Sequence, residues 1–97
     1  MREFMDDDDG YAVWLEDHST GFVLNVRRNP GANYTVLHRA LCQTIAKPRD
    51  DGAYTGRGYR KVVANAVDDL RNYTRTLGRT DGSFSLVCSK CKPLGAT

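Results

Sequence analysis

The chain has 97 residues, 40% of them hydrophobic and 27% charged, which is the composition of one small globular domain with a modest core. No stretch approaches the roughly 18 consecutive apolar residues that a membrane-spanning helix needs. The acidic first ten residues also lack the pattern of a secretory signal peptide. We therefore expect a cytoplasmic protein with no membrane partner.

The net charge of +2 hides an uneven distribution along the chain. The acidic head, residues 1–18, has seven acidic residues and one basic residue, a balance of −6, whereas residues 19–97 have five acidic and 13 basic residues, a balance of +8. A basic body is typical of proteins that bind a polyanion, and the acidic head could compete for the same surface. A solvated acidic tail with scattered surface charge is the alternative interpretation.

The first half of the chain predicts one short helix and a hairpin. Residues 1–9 are expected to be a disordered acidic N-terminus, and residues 10–97 a single folded domain. A helix is expected over residues 11–18. Strands are expected over residues 22–26 and 34–37, because both segments are rich in β-branched and aromatic residues and a turn cluster separates them.

The second half predicts one further strand and the main helix. Residues 39–45 are expected to form a helical turn, and residues 46–58 an exposed loop. A third strand is expected over residues 59–63. Asn65 is expected to cap the main helix, and Gly78 is expected to end it.

All three cysteines and one of the two histidines form the pattern H-x3-C … C-x2-C, at His38, Cys42, Cys88 and Cys91. The first spacing is about one helical turn, and the second lets the chain close tightly around a metal. Four Cys and His ligands in two short-spaced pairs are what a closed tetrahedral zinc site requires. We therefore predict one structural Zn²⁺ per chain. Three buried free thiols and an unrelated histidine are the alternative.

A bound metal would compensate for the small core of such a chain. Structural zinc contributes roughly 10–16 kcal/mol in apparent terms at neutral pH. Three cysteines cannot all pair within one chain, which favours a metal site over a disulfide framework. The predicted fold class is α+β, with a small three-stranded sheet, one main helix and a zinc-stapled C-terminal knuckle, so that residues 10–97 form a single zinc-binding domain.

The order of strand, strand ending in the first ligand pair, strand, helix and C-x2-C followed by proline resembles the Ada-type zinc-binding domain. This is a module of bacterial DNA methylphosphotriester repair proteins. The resemblance covers about residues 22–93 and is carried by four segments: residues 34–42, 59–63, 66–77 and 88–93. It implies a similar fold, a zinc site and DNA as the partner.

One departure from this family bears on chemistry. In the repair domains a cysteine at the first ligand position accepts the methyl group as a zinc-bound thiolate, and this chain has His38 there. A metal-bound imidazole nitrogen has no lone pair left for such an attack. The resemblance therefore argues for the fold and against methyl transfer, and we expect no enzymatic activity.

Six basic residues are predicted nucleic-acid contacts because they flank the ligands or the third strand: Arg39, Arg57, Arg60, Lys61, Lys90 and Lys92. About six such cations neutralise several phosphates and make binding salt-dependent. Alternatively, they offset the net charge of −1 on a Cys3His zinc site, or they form no common patch.

The predicted function is a non-enzymatic module that binds nucleic acid, DNA rather than RNA, through a basic surface near a structural zinc. Tyr34, Tyr54 and Tyr59 are candidates for stacking on bases, or are rings packed at strand edges. The alternative function is a zinc-stabilised protein-interaction or regulatory module, for which Trp14, Phe22 and the acidic head would matter most.

Overall fold

In the computed structural model, which describes residues 1–42, 45, 55 and 58–95, a five-stranded sheet carries one helix on each face. The elements in chain order are β1 (Arg2–Phe4), α1 (Asp8–Asp17), β2 (Phe22–Arg27), β3 (Thr35–Arg39), β4 (Tyr59–Ala64), α2 (Val67–Thr76) and β5 (Leu86–Val87). Within these described ranges, neither helix has the length and apolar character needed to cross a membrane.

The strand order is β1-β4-β2-β3-β5, and only the β3–β5 pair is parallel. The predicted α+β class and the three central strands are confirmed. The predicted number of strands is wrong, because β1 and β5 extend the sheet at its two edges. These strands have three and two residues, which is too short for an alternating pattern to be read from sequence.

The first face of the sheet packs against α1. Val23 and Val63 lie opposite each other on β2 and β4, and they pack with Phe4, Tyr11 and Trp14. Helix α1 begins after Asp7, whose side chain accepts a hydrogen bond of 2.9 Å from a backbone N–H of the first turn. Two acidic residues in that turn also suit the positive end of the helix dipole.

The second face packs against α2 through Leu24, Val62 and Leu70. The residue that precedes the helix is Ala66, in extended conformation and without a side-chain cap. The predicted Asn65 cap is therefore wrong: Asn65 lies one residue too far from the first turn for its side chain to serve as the cap.

Helix α2 ends in a hydrogen-bonded glycine motif. Gly78 has a φ of +110° and donates its N–H to the carbonyl of Arg75, while Arg79 donates to the carbonyl of Thr74. These two bonds are the Schellman arrangement that satisfies the last carbonyls of a helix. The predicted end of the main helix at Gly78 is confirmed.

The segment 1–9 differs from the expected disordered tail, because its first residues join the sheet. Arg2 lies opposite Val63 and Phe4 opposite Lys61 in the β1–β4 pair. Phe4 is only 2% exposed, and its ring centroid is 5.9 Å from that of Tyr11. One apolar side chain and backbone pairing therefore hold a segment whose composition is otherwise that of a solvated tail.

Candidate metal centre

Four side chains converge at one point of the structure: His38, Cys42, Cys88 and Cys91. Their ligand atoms all lie within 4.8 Å of one another, and the sulfurs of Cys42 and Cys88 are 3.8 Å apart. A tetrahedral site with metal–sulfur distances of about 2.3 Å has sulfur–sulfur edges of about 3.8 Å. The cysteines are all free thiols. The cluster could therefore hold one metal ion.

The first ligand pair comes from the end of β3 and the turn after it. His38 lies opposite Val23 and points to the α1 face of the sheet, where it is 8% exposed. The N–H of Cys42 donates to the carbonyl of Arg39 at 3.0 Å, which is a tight turn. The turn brings Cys42 back to His38. Of the predicted helical turn over residues 39–45, Arg39 belongs to β3, and residues 43 and 44 lie outside the described residues.

The second ligand pair reaches the first through the parallel pairing of β5 with β3. Val87 lies opposite Leu37, and the N–H of Cys88 donates to the carbonyl of Leu37 at 2.9 Å. The N–H of Lys92 then donates to the carbonyl of Cys88 at 3.0 Å, which closes the knuckle that carries Cys91. Strand pairing thus brings together two ligand pairs that are separated by 45 residues in the sequence.

The histidine is in the protonation state that a metal requires. Burial, with the positive charge of Lys61 as a second cause, lowers the pKa of His38 from 6.5 to about 4. The imidazole is therefore neutral at pH 7, which is the form that binds a metal ion.

The thiols of the second pair have opposite pKa shifts. Burial raises the pKa of Cys91 to about 12, and the neighbouring thiols add to this, although the N–H of Arg39 donates to its sulfur at 3.2 Å. Burial also disfavours the thiolate of Cys88, but hydrogen bonds from the N–H groups of Cys91 and Lys90 outweigh it and lower that pKa. A cation among these sulfurs would stabilise all three thiolates.

Arg39 joins the two ligand loops. Its Nε donates to the carbonyl of Cys91 and its Nη2 to the carbonyl of Lys92, both at 2.9 Å. The side chain remains exposed, as do those of Lys90 and Lys92. We call Arg39, Lys90 and Lys92 the metal-site cations. None of the ion pairs found among the described residues involves them.

Two of the other predicted nucleic-acid contacts, Lys61 and Arg60, have partners elsewhere in the fold. Lys61 is 3% exposed, and its ammonium donates to Asn25 at 2.7 Å. Burial lowers the pKa of Lys61 to about 8, and the charge of Asp8 opposes this shift. Arg60 pairs with Glu3 at 3.4 Å. Arg57 lies outside the described residues.

The acidic head neutralises cations on the body rather than the metal-site cations. Glu3 pairs with Arg60, and Asp6 forms a two-bonded ion pair with Arg28. The hydrogen bonding from Arg28 lowers the pKa of the Asp6 carboxyl. None of the described ion pairs of the acidic head therefore involves the metal-site cations.

Sequence reasoning missed one group of exposed side chains near the ligands and one arginine beside two tyrosines. Three large hydrophobic residues near the ligands are well exposed, at 68%, 60% and 45%: Leu41, Leu86 and Leu94. Each of these leucines lies one to three residues from a predicted ligand, and this position in the sequence could have pointed to them. In addition, Tyr34 and Tyr59 lie beside Arg27, which the sequence analysis did not predict; Arg27 lies opposite Tyr59 in the β2–β4 pair. Tyr54 lies outside the described residues.

Comparison of the chain with protein-family models, with curated proteins and with solved structures finds no match in any of the three. The Ada-type resemblance therefore stays a prediction, carried by ligand spacing and element order.

Proposed function

We propose that the chain is a zinc-stabilised, non-enzymatic module that binds nucleic acid, DNA in preference to RNA, through the metal-site cations. The observation that carries the proposal is the position of Arg39, Lys90 and Lys92. They lie in the two loops that hold the ligand cluster, and they are exposed and outside the described ion pairs. Surface cations held by a rigid loop are suited to phosphate contacts.

The donor set supports zinc with a structural role. Thiolate sulfur and imidazole nitrogen favour zinc over magnesium or calcium, which prefer oxygen ligands. Four protein ligands fill a tetrahedral coordination sphere, so no position remains for a reacting water. Zinc with three thiolates carries a net charge of −1, and the three metal-site cations exceed the charge needed to offset it.

The geometry of Arg39 supports a phosphate contact at the knuckle. Two of its guanidinium nitrogens donate to the carbonyls of Cys91 and Lys92. The side chain is thereby ordered before any ligand binds, which lowers the entropy cost of binding. Because Arg39 also joins the loops, its removal would disturb the metal site, and the two lysines are the better residues to test.

The test is a salt series of fluorescence anisotropy titrations with labelled DNA. Lys90→Gln combined with Lys92→Gln should weaken binding and reduce the slope of log K against log salt by about 2, since two phosphate contacts are lost. Arg2→Gln combined with Arg75→Gln is the matched control, because it removes the same charge from exposed sites on other elements. The metal content of both variants should equal that of the wild type. Equal weakening in both double variants, or no binding by the wild type at low salt, would overturn the proposal.

A protein-interaction module is the second candidate, and exposed apolar side chains near the ligands favour it. Leu41, Leu86 and Leu94 are 45–68% exposed, whereas Trp14 is 5% exposed and is part of the core. The interaction would therefore use the leucines rather than Trp14. A protein partner that stays bound at high salt after nuclease treatment, and is lost on Leu41→Ser with Leu86→Ser, would favour this candidate.

A further inference from the structure

At the end of β2 opposite to the metal cluster, an arginine lies against two tyrosine rings. The guanidinium carbon of Arg27 is 4.3 Å from the ring centroid of Tyr34 and 5.4 Å from that of Tyr59. Its Nη1 donates to the hydroxyl of Tyr59 at 3.4 Å, and the two ring centroids are 5.9 Å apart. Arg27 is exposed and both rings are half-buried. We call these three residues the Arg–Tyr cluster.

Two polar side chains, Asn25 and the buried Lys61, hold the Arg–Tyr cluster in place. Asn25 donates from its amide nitrogen to the hydroxyl of Tyr34 at 3.3 Å and accepts from Lys61 at 2.7 Å. The Lys61 ammonium lies 5.9 Å from the ring centroid of Tyr59. Two cations and two rings are thus positioned by strands β2 and β4 and by the residue that precedes β3. The rings are ordered before any ligand arrives, which lowers the entropy cost of stacking.

The Arg–Tyr cluster and the metal cluster share one face of the sheet. Side chains alternate along a strand, so Arg27 and Asn25 point to the same face of β2 as Val23. Val23 lies opposite the metal ligand His38. Arg27 is four residue steps from Val23, which is about 13 Å along the strand. Helix α1 covers the sheet at Val23, so the two sites lie at opposite ends of this face rather than on one open surface.

We propose that the Arg–Tyr cluster is a base-stacking site, and that the nucleic acid bound is single-stranded. Unpaired bases stack on tyrosine rings and on the planar guanidinium of arginine, whereas the bases of a duplex are already stacked on each other. The inference rests on the proposed nucleic-acid function and adds the strand type and a second contact site to it.

The experiment compares a labelled 12-nucleotide oligothymidylate with a labelled duplex of the same length, at one low salt concentration. Tyr34→Leu combined with Tyr59→Leu should weaken single-strand binding about tenfold or more and leave duplex binding unchanged. Tyr59→Phe keeps the ring and should bind as the wild type. Arg27→Lys keeps the charge but loses the planar group, so it should weaken single-strand binding severalfold.

The salt dependence separates stacking from a change in charge or in fold. The tyrosine double variant loses no phosphate contact, so its slope of log K against log salt should equal that of the wild type. Equal weakening on single strand and duplex, or wild-type affinity in both the tyrosine double variant and Arg27→Lys, would overturn the stacking site. If the wild type binds neither oligonucleotide, the proposed function itself fails. If it binds both equally and the tyrosine variants match it, only the stacking site fails.

Discussion

At the scale of single residues, burial determines the chemistry of the ligands. His38 is kept neutral because its ring is removed from water and faces the charge of Lys61. Cys91 is kept protonated in the absence of a cation by the same loss of water. The site therefore has an imidazole ready for a metal and, at Cys91, a thiol that needs the metal charge to ionise.

The pH dependence of stability follows from the imidazole. The unfolded chain binds a proton at His38 below pH 6.5, and the folded chain does so only below about pH 4. The contribution of His38 to the free energy of unfolding is therefore fully present above pH 6.5 and is lost as the pH falls. A bound metal would exclude the proton further, so stability would again fall with the pH. In the metal-free protein the free energy of unfolding should drop by about 1.5 kcal/mol between pH 6.5 and pH 5. Urea denaturation at several pH values measures this, with His18→Gln as the control that retains His38. A free energy that stays constant over this range would contradict the pKa of His38.

A second prediction at this scale concerns the end of α2. Gly78→Ala should lower the free energy of unfolding by about 1–2 kcal/mol, because φ is +110° and an L-residue is strained there. The nearest atom to an added Cβ is that of Ala32 at 3.7 Å, so crowding adds little. Gly31→Ala is the matched control: it has no positive φ and no neighbour within 4 Å, and its effect should stay within about 0.5 kcal/mol. Equal effects of the two substitutions in chemical denaturation would contradict the claim that an alanine is strained at position 78.

At the scale of elements, strand β1 shows how one side chain can decide whether a segment is folded. Its other two residues, Arg2 and Glu3, are charged, and only Phe4 supplies apolar area to the core, at 2% exposure. The backbone pairing with β4 then gives the acidic head a fixed position, so that Glu3 meets Arg60 and Asp6 meets Arg28. These exposed pairs contribute little by themselves.

The stability of the β1–β4 pairing can be tested at one position. Phe4→Ala should lower the free energy of unfolding by about 3–5 kcal/mol, as expected for a buried ring. Met5→Ala is the control, since Met5 is 43% exposed and its loss should cost about 0.5 kcal/mol at most. Chemical denaturation of both variants gives the comparison. If Phe4→Ala is as mild as Met5→Ala, residues 1–5 are a frayed tail rather than part of the sheet.

Strand β5 illustrates the opposite case, an element that depends on the knuckle C-terminal to it. It has two residues at the sheet edge, and Leu86 is 60% exposed. So short a strand buries too little area to hold itself in place. The ligands Cys88 and Cys91 come directly after it, so a metal at the cluster would fix its pairing with β3.

At the scale of the whole molecule, the candidate metal ion would join one edge of the sheet to the chain segment after β3. Removal of metal by a chelator should therefore lower the midpoint of thermal unfolding and should loosen the C-terminal part first. Hydrogen exchange at the N–H groups of Cys88 and Lys92 should speed up before that of Leu24 and Val62 in the central strands, which are 0% exposed. Uniform exchange in all strands, or a metal-free protein of unchanged stability, would contradict a structural role of the metal.

The charge distribution also belongs to this scale. The acidic head has a balance of −6, but its ion pairs fall on Arg28 and Arg60. The surface at Arg39, Lys90 and Lys92 keeps its positive charge. Competition between the acidic head and a polyanion would therefore occur at the cations on β4 and near β2, not at the metal site.

The sequence by itself determined the ligand cluster, the central strands and the end of α2, because each depends on local spacing or local composition. Two short ligand pairs, alternating apolar residues and a glycine after a helical run are all visible within a few residues. The tertiary structure alone decided the edge strands, the burial of Lys61 and the pairing of Arg27 with Tyr34 and Tyr59. These features depend on which strands lie side by side, and non-local pairing leaves no mark in the sequence of segments as short as β1 and β5.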